Sequence, residues 1–166
     1  MNVVIAKEKK PASNDTPDYE MMIKQLEGFM ETENHYVATL SNASALIWDG
    51  LNGINWAGFY IVHGVQLVLG PFQGKTACIH IQKGKGVCGM AWENGEAIIV
   101  EDVSKFKGHI ACDSRSKSEI VVPIKKDGEV VAVLDIDSPF IARFSDKDKE
   151  GLLAFVRKLE EKIEWA

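Results

Sequence analysis

Residues 119–137 constrain the fold more than any other part of the chain. Two β-forming runs, 119–124 and 129–137, flank residues 125–128, and Asp127-Gly128 favours a tight antiparallel turn. A lone hairpin is marginal in water, so this segment demands further strands and a covering layer. The second run is apolar through Val130-Val131-Ala132-Val133-Leu134 and then ends in Asp135-Ile136-Asp137. Side chains two positions apart on a strand point to one face, so Asp135 and Asp137 lie together. Like charges at the end of a core strand are costly unless a cation meets them, or unless the strand simply ends there in solvent. Glu119 opens the partner strand, and with the two aspartates it would form an acidic pocket for an ammonium group. A two-residue turn, however, sets Glu119 opposite Ile136 and on the other face. The pocket then requires an odd-length loop, a bulge, or a Glu119 outside regular pairing.

The rest of the chain supplies the covering layer. Residues 1–17 are polar, contain Pro11 and Pro17, and read as a loose tail, leaving one domain over 18–166. Met22, Leu26, Phe29, Tyr36, Val37, Leu40 and Ile47 fall at helical spacing over 19–51, as one helix or as two with a break near 31–34. Short β runs follow at 54–62, 65–69, 76–81 and 97–100, the first two joined by His63-Gly64. A short helical piece at 87–94 ends at Gly95. Ser145 and Asp148 make a carboxylate capping box, after which Leu152, Phe155, Val156, Leu159 and Ile163 form one apolar face. This order predicts an α/β (α+β) fold with an antiparallel sheet and the terminal helices packed on one side.

Charge and length exclude several function classes. The net charge is −5 with no Lys/Arg-dense stretch, which argues against nucleic acid as a partner. No run approaches the roughly 18 apolar residues of a membrane span, and Val3–Ala6 is too short for a signal-peptide core. The expected location is the reducing cytoplasm, where three cysteines do not make a disulfide framework.

Two motifs imitate nucleotide sites. Gly84-Lys85-Gly86-Val87-Cys88-Gly89 matches G-x-G-x-x-G, but the helix after it is too short to cross between parallel strands. Gly70-Pro71-Phe72-Gln73-Gly74-Lys75-Thr76 is one residue short of a P-loop, and Pro71 has no N–H to offer a phosphate. The bland reading of the first is a tight turn entering a short helix, and a phosphate cradle at the second is not expected.

The thiols remain. Each of Cys78, Cys88 and Cys112, taken alone, reads as a small buried hydrophobe. Cys112 departs furthest from that, because His109, Arg115 and Lys117 near it in a polar segment would lower a thiol pKa. Cys88, at a helix start, would be acidified by the helix dipole. A structural zinc site fits poorly, because no two cysteines are closer than ten positions; the expected resident metal is none. Trp56 and Tyr60 share a strand face, as core residues or as an aromatic wall beside the acidic floor.

Taken together, these segments resemble the free methionine-(R)-sulfoxide reductases, enzymes built on a single GAF domain. The resemblance rests on Asn55-Trp56-Ala57-Gly58-Phe59-Tyr60, Leu69 through Lys75, Gly86-Val87-Cys88-Gly89, Gly108 through Asp113, Ser118-Glu119-Ile120-Val121 and Leu134-Asp135-Ile136-Asp137-Ser138, and it covers the chain from about residue 20. It implies a GAF-like sheet of five to six strands, with a pocket covered by loops and the short helix. It implies Cys112 as the nucleophile on the sulfoxide sulfur, Cys78 as the resolving thiol and Cys88 as an auxiliary one. Glu119, Asp135 and Asp137 become the substrate carboxylates, and Trp56 and Tyr60 the wall around the S-methyl end. Thioredoxin is the implied electron donor, no cofactor is bound, and a homodimer through the terminal helices is expected. Met90 and Trp92 are bulkier than the family pattern implies, so they narrow the pocket or fill the core. The competing readings are a GAF sensor without chemistry, a thiol redox switch and a zinc-stabilised domain.

Overall fold

The helices begin where side chains close their first turns. In the computed structural model, which describes residues 16–110 and 113–165, Asp18 caps α1 (Tyr19–Met30) by accepting from the Met21 N–H at 2.9 Å. The chain breaks over residues 31–35, and His35 caps α2 (Tyr36–Gly50). The expected tail lies mostly outside the described residues. The last helix, α4 (Asp146–Lys162), carries the full capping box: Ser145 Oγ accepts from the Asp148 N–H, and the Asp148 carboxylate accepts from the Ser145 N–H.

Among the described residues, six strands form one antiparallel sheet: β1 (Trp56–His63), β2 (Gln66–Gly74), β3 (His80–Gln82), β4 (Ile98–Val100), β5 (Ser118–Lys126) and β6 (Glu129–Ser138). Their spatial order is β3-β2-β1-β6-β5-β4. The short helix α3 (Gly86–Asn94) lies between β3 and β4 in sequence and ends at the left-handed Gly95. No described helix is long and apolar enough to cross a membrane.

The sheet divides two apolar layers. On one side α1, α2 and α4 bring Leu26, Leu40, Ile47, Leu152, Phe155 and Leu159 against Ala57, Phe59, Ile120, Val122, Ile124, Leu134 and Ile136, all fully buried. Each such Leu, Ile or Phe contributes about 1.5–3 kcal/mol of transfer free energy. On the other side α3 brings Val87, Cys88, Ala91 and Trp92 against Trp56, Tyr60, Leu67, Val121 and Val133.

Two bulges correct the simple strand reading. On β2, Gly70 and Pro71 together oppose Phe59, because Gly58 pairs with Phe72 and Tyr60 with Leu69. A bulge tolerates the N–H that proline lacks, so the motif that imitates a P-loop is a continuation of the strand. Residues 76–79, expected as strand, form an irregular loop before the three-residue β3, and Cys78 therefore lies on a loop. The second bulge sets the site.

Candidate functional site

The β5–β6 hairpin turns at Asp127 and Gly128, whose φ angles are 52° and 84°. Two consecutive positive angles are what a two-residue turn matched to strand twist requires. Pairing begins with Lys126 opposite Glu129 and Lys125 opposite Val130, then resumes with Ile124 opposite Ala132. Val131 is the extra residue. From there the register is shifted by one, so Glu119 faces Asp137 and Val121 faces Asp135. The bulge thus places all three carboxylates on the α3 face, at one end of the sheet.

β1 completes this floor. Trp56 pairs with Asp137 and Gly58 with Asp135. A Cβ on Gly58 would sit 2.3 Å from the Phe72 Cβ and 2.7 Å from the Trp56 ring, so only glycine lets the two aromatics close over this position. The Trp56 ring stacks on Tyr60 at 5.9 Å and on Phe72 at 5.3 Å. The polar tips of Trp56 and Tyr60 hold the 75–79 loop: the indole N–H donates to the Lys75 carbonyl, and the Tyr60 hydroxyl to the Cys78 carbonyl, both at 3.0 Å.

Together these elements enclose a cleft lined by Trp56, Tyr60, Cys88, His109, Asp113, Glu119, Asp135 and Asp137. Glu119 and Asp135 are 5% and 7% exposed. Burial pushes the Glu119, Asp135 and Asp137 carboxyls well above the usual carboxylate range, and their mutual repulsion adds to it. Cys88 packs among them, a free thiol whose pKa burial and the carboxylates push upward. This reverses the acidification expected from the helix start, because desolvation and negative neighbours outweigh the dipole. Burial also lowers the His109 pKa. Its Nε2 lies 3.4 Å from Glu119 Oε2, and the two opposite shifts weaken any ion pairing between them.

His109 turns to Glu119, while the Arg115 guanidinium binds Asp113 at 3.0 Å and holds its carboxyl below the usual range. Lys117 is exposed. Cys112 lies outside the described residues. Cys78 is half-buried and disulfide-bonded. Neither Met90 nor Trp92 lines the cleft; Trp92 packs in the α3 layer under Lys83, whose Nζ sits 5.1 Å from its ring. Sequence reasoning missed Asn55, whose amide donates to Ser116 Oγ at 3.1 Å and ties the 113–116 loop to β1. It also missed the turn of His109 toward Glu119. Neither residue lies near its partner in sequence, so no local signal points to them.

A single antiparallel sheet with helices behind it and a loop-covered cleft in front defines a GAF domain, and the GAF domain family model matches residues 38–160. The free methionine-R-sulfoxide reductase of Escherichia coli is 47% identical over 147 residues, covering 89% of this chain and 89% of that protein. The reduced form of fRMsr of Staphylococcus aureus superposes with a TM-score of 0.88 at 50% identity, over 93% of this chain and 100% of that one. Free methionine-R-sulfoxide reductase of Neisseria meningitidis in complex with its substrate gives 0.86 at 40% identity, over 93% of each chain. The chain belongs to the free methionine-R-sulfoxide reductase family.

Proposed function

We propose that this protein reduces free L-methionine-(R)-sulfoxide to L-methionine. The observation that carries this reading is the set of three carboxylates, Glu119 and Asp135 buried and Asp137 half-buried, under an aromatic wall. Carboxylates gathered at such burial repel one another, and a cation bound among them offsets that cost. A free amino acid brings that cation as its α-ammonium, and it carries an apolar chain for Trp56 and Tyr60. A peptide-bonded methionine has no such charge, so the reading includes selectivity for the free amino acid. A sensor or a bare redox switch needs no such floor.

The chemistry falls to the thiols. The Cys112 thiolate attacks the sulfoxide sulfur, a proton is donated to the oxygen, and that oxygen passes to the Cys112 sulfur as the substrate S–O bond breaks and methionine leaves. Cys112 keeps the oxygen as a sulfenic acid. One of the three carboxyls, protonated in the cleft, supplies the proton. The Cys78 thiol then attacks the sulfenic sulfur and expels water, forming a Cys78–Cys112 disulfide. Support for Cys78 in this role is that it is disulfide-bonded while Cys88 keeps a free thiol. Cys88 is the auxiliary thiol. A thioredoxin dithiol restores both cysteines by exchange, so thioredoxin is oxidised as methionine sulfoxide is reduced, with one water formed. No cofactor takes part, and the reaction belongs to the cytoplasmic response to oxidative stress.

A thioredoxin-coupled assay of NADPH oxidation tests this reading. Turnover is expected with the R epimer and not with the S epimer. Cys112→Ser is expected to lower turnover by about 10³-fold or more, because a serine hydroxyl at neutral pH is a poor substitute for a thiolate. Absence of turnover with both epimers by folded, reduced protein removes the reductase reading.

A further inference from the structure

The reductase reading gives the buried Cys88 little to do, yet Cys88 sits where a specific ligand set is complete. Its thiol is free and the residue 4% exposed, with Sγ 4.0 Å from Glu119 Oε1. One donor atom each from Cys88, Glu119 and Asp135 lies within 4.8 Å of the other two. An independent observation points to a ligand here. Asp135, 7% exposed and lining the cleft, has an Oδ1 with no hydrogen-bond partner. A buried acceptor without a donor is unfavourable, and a positively charged ligand removes that penalty.

The donor types select the ion. Magnesium and calcium take oxygen ligands, so a thiolate at the centre of the set disfavours them. One thiolate with two carboxylates suits a borderline-soft ion that accepts tetrahedral mixed ligation, as zinc does. Zinc–ligand bonds would bring the three donor atoms to about 3.3–3.7 Å from one another, so no pair need close by more than about 1.5 Å. Three protein ligands leave a fourth position, and the His109 imidazole stands beside Glu119 at 3.4 Å.

We propose that this cleft binds a thiophilic divalent cation, zinc foremost, through Cys88, Glu119 and Asp135, and that the ion excludes the amino acid from the same carboxylates. The ion site rests on the donor atoms alone. The exclusion rests on the substrate reading given above. Zinc entry expels the Cys88 proton and any proton on the two carboxyls, and no oxidation or reduction is involved. Zinc is then an inhibitor that competes with substrate, which would couple the reductase to zinc released from other thiols during oxidative stress.

Cobalt(II) is the probe, because a thiolate ligand gives it a near-ultraviolet charge-transfer band that oxygen and nitrogen ligands do not. The Cys78→Ser/Cys112→Ser double variant leaves Cys88 as the sole thiol, and circular dichroism checks that it is folded. One equivalent of cobalt is expected to produce a saturable band, which zinc and saturating methionine-R-sulfoxide each abolish. Adding Cys88→Ser removes the band. Asp135→Asn and Glu119→Gln each weaken cobalt binding by about 10-fold or more, since losing a ligand costs at least as much as losing an outer-shell partner. If the Cys88→Ser protein does not fold, the two carboxylate variants decide the matter. Absence of a saturable band, or a band that neither carboxylate variant weakens, overturns the site. A band that survives saturating sulfoxide overturns the exclusion. Metal-free wild-type turnover keeps the two readings apart. Turnover without a cobalt band overturns the ion site and leaves the reductase reading, and a band without turnover overturns the reductase reading, with the exclusion that rests on it, and leaves the ion site.

Discussion

Ile120 and Glu119 are adjacent on β5, and each is 5% exposed or less. Ile120 is sealed beneath the helices with Val122, Ile124, Leu134 and Ile136. Glu119 is sealed on the opposite face with two more carboxyls and a thiol. On the helix face of this hairpin Ile120, Val122, Ile124, Leu134 and Ile136 are apolar and fully buried, and that burial favours the fold throughout. The cleft face gives up part of that gain to hold groups that are uncomfortable until a cation arrives. The comparison locates function where burial and polarity conflict, and it separates residues that keep the fold from residues that use it.

Phe155→Ala strikes the helix face hardest. Removing a fully buried aromatic from α4 is expected to lower unfolding free energy by about 3–5 kcal/mol in urea titration, while substrate KM of the protein that stays folded changes little. A matching rise in KM would show that the two faces are not separable.

Asp135→Asn is the counterpart on the cleft face. It takes one anion from the floor, so kcat/KM for the free amino acid is expected to fall by about 30-fold, carried mainly by KM, on the scale of about 2 kcal/mol for a broken buried charge pair. The ligand-free protein is expected to melt at a higher temperature than the wild type. A loss of both affinity and stability would place Asp135 among the fold-keeping residues.

The smallest effect is in the pH dependence of that difference, measured with a chelator present. The Glu119, Asp135 and Asp137 carboxyls titrate above their unfolded values, which lie near pH 4. From about pH 4 up to the raised native values, the native state holds more protons than the unfolded chain, so these groups make stability fall as pH rises. Asp113 and Asp102, whose carboxyls are held low by hydrogen bonds, act in the opposite sense. Comparing wild type with Asp135→Asn isolates the cleft: from pH 5 to pH 7 the melting midpoint of the variant is expected to decline less. An equal or steeper decline would mean that the Asp135 pKa is not raised in the native cleft.

The helix face was the more legible in sequence. The spacing of Leu152, Phe155, Val156 and Leu159 and the Ser145–Asp148 box mark α4 directly, because helical periodicity and capping are local. The acidic set was legible as residue types, but its assembly was not. A two-residue turn puts Glu119 opposite Ile136, whereas the observed partner is Asp137, and the difference is Val131 bulging out of an apolar run with no compositional mark. The loop carrying Cys78 read as strand because its residues suit one. What pulls it out of pairing is the grip of Trp56 and Tyr60 on the Lys75 and Cys78 carbonyls, a contact 18–19 residues distant in sequence.

The account's central claim is that the buried carboxylates await an α-ammonium group, and the most direct test removes that group from the substrate. Free methionine-R-sulfoxide and its N-acetyl derivative differ only there, and both can be run in the same thioredoxin-coupled assay. The account predicts rapid turnover of the free amino acid and a loss of at least about 100-fold in kcat/KM for the acetylated one, the size expected when a buried charge loses its partner. Comparable turnover of both would contradict it, because the acidic floor would then have no part in choosing the substrate.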